Sequence, residues 1–171
     1  MAQYVEKARV PVTIQFFGGG AADGYLLVAP HSAIRVGPET LLEVLNSTQR
    51  VLPFILEQDE SVMLVTREFI EVVAPDEDAD PELVSAPHYL VTREEQVTLE
   101  WLDGRSAEGL VPMELPQDLN RASDYLNGED DFFQLNTTSG TLLVNKRRLR
   151  GVRIFSASPL PAAMVIPFPA A

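Results

Sequence analysis

The chain has no cysteine and only two histidines in 171 residues. Without cysteine there are no disulfides, iron–sulfur clusters, thiolate zinc sites or cysteine nucleophiles. His31 and His88 each follow a proline in an apparent loop, with no HExxH or His-x-His spacing. They read as surface residues rather than metal ligands. Cations are also scarce: 13 basic residues stand against 25 acidic ones, a net charge of -12. Such a chain repels a phosphate backbone at long range. No apolar run approaches the ~18 residues of a membrane span, and the opening MAQYVEKARV has no signal-peptide core. The expectation is a cytoplasmic protein without membrane association. There is no G-x-S-x-G nucleophile elbow, and the carboxylates lie in turns with no marked acid–base pair. We therefore expect no enzymatic activity, no cofactor and no metal.

What is present is self-similarity. VTIQFFGGGAADGYLLV, from Val12, lies over VTLEWLDGRSAEGLVPM, from Val97, without a gap. Phe16 falls on Trp101, Gly19 on Gly104 and Gly24 on Gly109. After a short deletion EVLNSTQRVLPF, from Glu43, matches DYLNGEDDFFQL, from Asp124, sharing Leu and Asn at Leu45/Leu126 and Asn46/Asn127. After a second, MLVTREFIEVV from Met63 matches LLVNKRRLRGV from Leu142. The spacing shortens only in loops, as expected for two copies of one unit.

Each copy reads as about five strands and one short helix. In copy one, the alternating stretches are Val10–Phe17, Tyr25–Ala29, Val51–Leu56, Val62–Val65 and Ile70–Ala74. The helix lies before Asn46, with Pro38 at its first position and Leu41, Leu42 and Leu45 on one face. In copy two, Leu119, Ala122, Tyr125 and Leu126 make the helical face. The later strands are Phe132–Leu135, Thr141–Val144 and Leu149–Phe155. The fold class expected is mainly β with short helices (β or α+β), an internal duplication of a five-stranded barrel-like unit. The boundaries are 1–74 for the first unit, 75–93 for an acidic Pro-rich linker, 94–155 for the second unit and 156–171 for a Pro/Ala-rich arm. Residues 75–95 hold one basic residue against seven acidic ones, which reads as a solvated connector.

Three consecutive glycines, Gly18 to Gly20, raise the question of a phosphate loop. Such a loop stands between a strand and a helix. Here YLLVAP follows, a strand pattern, and the matching turn LDGRSAEG keeps glycine only at Gly104 and Gly109. The glycines are expected to form a hairpin turn. Trp101, in place of Phe16, is expected to pack in or near the core.

One basic run stands out. Lys146, Arg147, Arg148 and Arg150 place four cations in five positions, while the matching Arg67–Glu71 stretch is not basic. On an alternating strand Lys146, Arg148 and Arg150 would share one face. Such a cluster supports either pairing with nearby carboxylates or a local anion contact.

LRGVRI, Leu149–Ile154, resembles the second signature of Sm-like proteins, in which an aliphatic and a basic residue precede Gly. TLLVNKRR before it resembles the family's fourth strand, and VTLEWLDGRSAEG its first hairpin. The resemblance implies a bent five-stranded barrel, ring assembly and RNA at the pore, with Arg150 and Gly151 helping to hold a base. Two functions follow as expectations. The first is a non-catalytic interaction or scaffold module, because small duplicated barrels expose strand edges. It places a protein partner or self-association, including a homo-oligomer, ahead of nucleic acid. The alternative is weak RNA or anion binding through Lys146, Arg148, Arg150 and Gly151.

Overall fold

The computed structural model describes residues 6–86, 93–113 and 122–155. His88, Leu119 and the 156–171 arm lie outside the described residues. The chain is mainly β. The first five strands are β1 (Ala8–Phe16), β2 (Ala21–Val28), β3 (Val51–Leu56), β4 (Val62–Thr66) and β5 (Ile70–Pro75). The second five are β6 (Arg93–Trp101), β7 (Ser106–Met113), β8 (Phe132–Thr137), β9 (Gly140–Asn145) and β10 (Leu149–Ile154). Three short helices accompany them: α1 (Leu41–Leu45), α2 (Pro81–Val84) and α3 (Ala122–Leu126).

All ten strands belong to one antiparallel sheet, in the order β10-β6-β7-β8-β9-β5-β1-β2-β3-β4. The first five strands pair as β5-β1-β2-β3-β4 and the second five as β10-β6-β7-β8-β9. The element spacings are constant within blocks to one residue. β6 starts 85 residues after β1 (93 against 8), α3 starts 81 after α1 (122 against 41), and β10 starts 79 after β5 (149 against 70).

Local chemistry explains the elements. On β1, Val10, Val12 and Ile14 alternate inward, as a strand with one buried face requires. Thr40 caps α1, its hydroxyl accepting from the Glu43 amide, and Asn46 ends it. The helix therefore begins after Thr40, and Pro38 lies before the cap rather than at the first helical position. Asp80 caps α2 through the Glu82 amide, with Pro81 at the first turn.

The glycine stretch is a hairpin turn. The Phe16 amide donates to Gly20 O and the Gly19 amide to Phe16 O. Trp101 and Gly104 make the same two bonds, to Arg105 O and Trp101 O. Gly19 and Gly104 both have positive φ, 106° and 90°, where a side chain is strained.

Two apolar clusters fill the fold. One gathers Ile14, Leu26, Leu45, Phe54, Val65 and Val73; the other gathers Leu99, Trp101, Val111, Met113 and Leu135. The clusters exchange members: Phe132 and Leu143 sit in the first, Val72 in the second. The acidic segment after Pro75 is not wholly a solvated connector. Ala79 and Val84 are buried in the first cluster, which ties α2 to the body.

Candidate interaction surfaces

Three regions of the surface bear on function: the seam joining the two sets of strands, the basic turn, and the two ends of the sheet. The seam is the β5–β9 pair, with Val72 opposite Val144 and Val73 opposite Leu143. These strands are covered on both faces, so their apolar residues run consecutively instead of alternating. Side chains reinforce the join. Asn145 Nδ2 donates to Ile70 O at 2.9 Å, within the buried interior. Asn46, at the end of α1, brackets the Phe132 backbone, accepting from its amide at 2.8 Å and donating to its carbonyl at 3.0 Å.

Both β1–β5 and β6–β10 carry a bulge at the same place. Phe16 faces Ile70 and Gln15 faces Val72, leaving Glu71 as the extra residue; Trp101 faces Leu149 and Glu100 faces Gly151, leaving Arg150. Glu71 is buried, and Arg105 reaches it from the β6–β7 turn, Nη2 to Oε2 at 2.5 Å. Glu71 is the main reason the Arg105 guanidinium is held above its ordinary value, with Asp103 second. Removing the guanidinium leaves a buried carboxylate without this partner. Arg105→Met is expected to cost about 1–3 kcal/mol in urea unfolding, and little in a Glu71→Gln background. An equal cost in both backgrounds would mean that Arg105 acts through packing.

The basic run is not an alternating strand throughout. Lys146–Arg148 form one turn of 3-10 helix, and only Arg150 and Gly151 lie on β10. The expected shared face of Lys146, Arg148 and Arg150 is therefore absent, because a 3-10 turn advances about three residues per revolution, not two. The cations are also engaged. Lys146 Nζ donates to Gly128 O, and Arg147 Nε pairs with Asp131 at 2.8 Å. Arg148 Nε donates to Glu68 O at 2.8 Å, and its guanidinium lies 4.4 Å from the Phe17 ring centre. Arg150 and Arg153 both meet Glu100, at 3.3 and 2.5 Å. Gly151 sits beside the bulge, with nothing within 4 Å of where a Cβ would stand. A cleft of about 530 Å³ adjoins this turn, lined by Arg50, Arg67, Glu68, Asp131 and Arg147 among others. Both carboxylates and guanidinium groups line it.

At the two ends of the sheet, β4 and β10 each have one partner strand among the described residues. β4 exposes Val62 and Leu64, with Val51 and Phe69 beside it; β10 exposes Ile154, followed by exposed Phe155. Apolar side chains on open edges are unusual, since natural edges are generally charged, short or covered. Leu64, Asn46 and Asn127 were not singled out as functional from sequence. For Leu64 the available signal was the uninterrupted apolar stretch Val62–Val65, a pattern expected of a strand covered on both faces but found here on a strand with one exposed face.

His31 is exposed in the loop after β2, and Trp101 is buried in the second cluster. Among the described residues no group of three or more His, Cys, Asp or Glu is placed to hold a metal ion. No helix among them is long and apolar enough to cross a membrane. Compared with protein-family models, curated proteins and solved structures, the chain matches none.

Proposed function

We propose that this protein is a non-catalytic interaction module that assembles through its sheet edges. In this reading it consists of two copies of one barrel-like unit. The observation that carries the function is the pair of edges, β4 and β10, that have one partner strand each among the described residues and lie beside exposed Val62, Leu64, Ile154 and Phe155. An exposed apolar edge offers main-chain donors and acceptors together with surface worth burying.

The duplication reading is supported by the matched strand orders, the constant spacings, the identical turn bonds and the matched bulges. Curvature is supported by chain connectivity. β4 and β5 stand four places apart in strand order, roughly 19 Å if the sheet were flat. Yet only the 3-10 turn Arg67–Phe69 joins them, and Val65 and Ile70 share one apolar cluster. This connectivity supports five strands that curl towards closure.

Amide hydrogen exchange of the full chain over a concentration series, with mass measured in parallel, tests the function. Protection at β4 and β10 should rise as mass rises. A monomer at every concentration, with both edges exchanging freely, would rule the self-assembling form out.

A second reading is weak RNA or anion binding by an Sm-like second unit through Lys146, Arg148, Arg150 and Gly151. It is supported by the cations Arg50, Arg67 and Arg147 lining the adjoining cleft. The carboxylate partners and the net charge of -12 oppose it. Binding should then be weak, of micromolar order, with a shallow salt slope of two or three phosphates. Short U-rich and A-rich single strands, titrated at low salt, provide the check. The wild type should bind, and the Lys146/Arg148/Arg150→Gln variant should not. No binding by the wild type ends this reading.

A further inference from the structure

The β5–β9 seam is a worked example of how one set of five strands meets the other, and the same two kinds of edge stand without a second partner strand among the described residues at the ends of the sheet. β9 stands in its set where β4 stands in the first, and β5 stands where β10 stands in the second. We propose that β10 of one chain pairs antiparallel with β4 of a second copy, reproducing the internal seam between chains. This rests on the interaction-module reading and names its partner and its contact.

The register follows from the 79-residue spacing between β5 and β10, which β4 and β9 share at their ends (66 and 145). Val72 opposite Val144 becomes Gly151 opposite Val65. Val73 opposite Leu143 becomes Val152 opposite Leu64.

Several exposed residues are ones that this contact would cover. Leu143 in the seam is 0% exposed, whereas its counterpart Leu64 is 68% exposed. Phe132, bracketed by Asn46, is 2% exposed, whereas its counterpart Val51 is 43% exposed. The counterpart of Asn46 is Asn127, one of the two identities in that part of the repeat. Asn127 is exposed at the end of α3, where the contact would bring it to the Val51 backbone of the next chain. Arg148 lies over Phe17 across the seam; their counterparts Phe69 and Leu102 are 50% and 57% exposed and would meet in the same way. Asn145 donates to Ile70 O, and Thr66, exposed at the matching place on β4, would donate its hydroxyl to Leu149 O. Several independent side chains thus lack cover where their counterparts have it.

The two edges differ, so the contact is heterologous. Each chain offers one edge of each kind, and the assembly either closes as a ring or grows as a filament. Two identical edges meeting about a twofold axis would not reproduce the seam.

The absence of native cysteine makes a clean test. Leu64→Cys and Val152→Cys chains are prepared separately, mixed and mildly oxidised. Residues directly opposite on antiparallel strands bring Cβ atoms within disulfide reach. The mixture should yield a disulfide between the two chain types, at least ten times more than either chain alone. Leu64→Lys, at an exposed position, should keep the melting curve while weakening assembly at least tenfold. A chain lacking residues 156–171 should still assemble. If assembly occurs without the mixed disulfide, or is lost with residues 156–171, this contact is wrong while the interaction-module reading stands. If the full chain stays monomeric with both edges exchanging freely, both self-assembly and this contact fall.

Discussion

Gly24→Ala is expected to lower stability by about 3 kcal/mol or more, beyond the usual range for overpacking. β2 begins its antiparallel pairing with β3 at this point, with Gly24 opposite Leu56. A Cβ on Gly24 would stand 2.1 Å from Ile55 O and 2.7 Å from Phe54 Cζ. The first is backbone within a paired strand and cannot swing aside as a side-chain tip can. Relief requires β2 and β3 to part, which loosens fully buried Phe54. For a chain of this size the loss corresponds to a fall in Tm of roughly 6–12 °C. Gly109→Ala should behave similarly, since its Cβ would lie 2.6 Å from Asn136 O. Gly20 is the control. It has φ +90° but nothing within 4 Å of a Cβ, so Gly20→Ala carries only backbone strain of about 1–2 kcal/mol. Calorimetry of the three variants checks the account. Equal melting of Gly24→Ala and Gly20→Ala would show that the close approach of the β3 backbone is not what requires the glycine.

Leu143→Ala is expected to cost about 2–5 kcal/mol and to do so for the whole molecule at once. Leu143 belongs to β9 but packs in the cluster of Ile14, Phe54 and Val73. Phe132 crosses over in the same way, and Val72 crosses in return. A cavity at Leu143 therefore weakens the strands preceding Pro75 as well as β9. The only tryptophan, Trp101, reports on the other cluster. Its fluorescence and the far-UV circular dichroism should shift to lower denaturant together, in one transition. If the tryptophan signal keeps its midpoint while the circular dichroism moves, the clusters unfold independently and the seam does not couple them.

Most of the strands were legible because their cause is local. Alternation at Val10, Val12 and Ile14 needs only one buried face, and Val51–Leu56 matches its expected bounds. The Phe17–Gly20 turn was legible for the same reason: positive φ within a few residues selects glycine. The part of the site that was misread, Lys146–Arg148, shows the limit. The same residues can continue a strand or turn through a 3-10 helix, and the bulges at Glu71 and Arg150 shift the register there. α2 was missed because a four-residue helix inside an acidic stretch leaves almost no periodicity. Its Asp80–Pro81 cap was the usable signal.

By itself, the sequence determined a mainly β chain without cysteine chemistry, the places of its turns, and the self-similarity of its two parts. Those properties depend on residue chemistry and short-range periodicity, which do not need a partner strand. Only the tertiary structure decided that β5 joins β9, that Phe132 and Leu143 fill the neighbouring cluster, and that β4 and β10 each have one partner strand among the described residues. Val72 and Val144 meet although 72 positions separate them along the chain, a contact set by how the two sets of five strands come together in one sheet. Leu64 and Leu143 illustrate the difference. They are the same residue at matching places, yet one is exposed and the other buried, because burial is decided by the strand alongside.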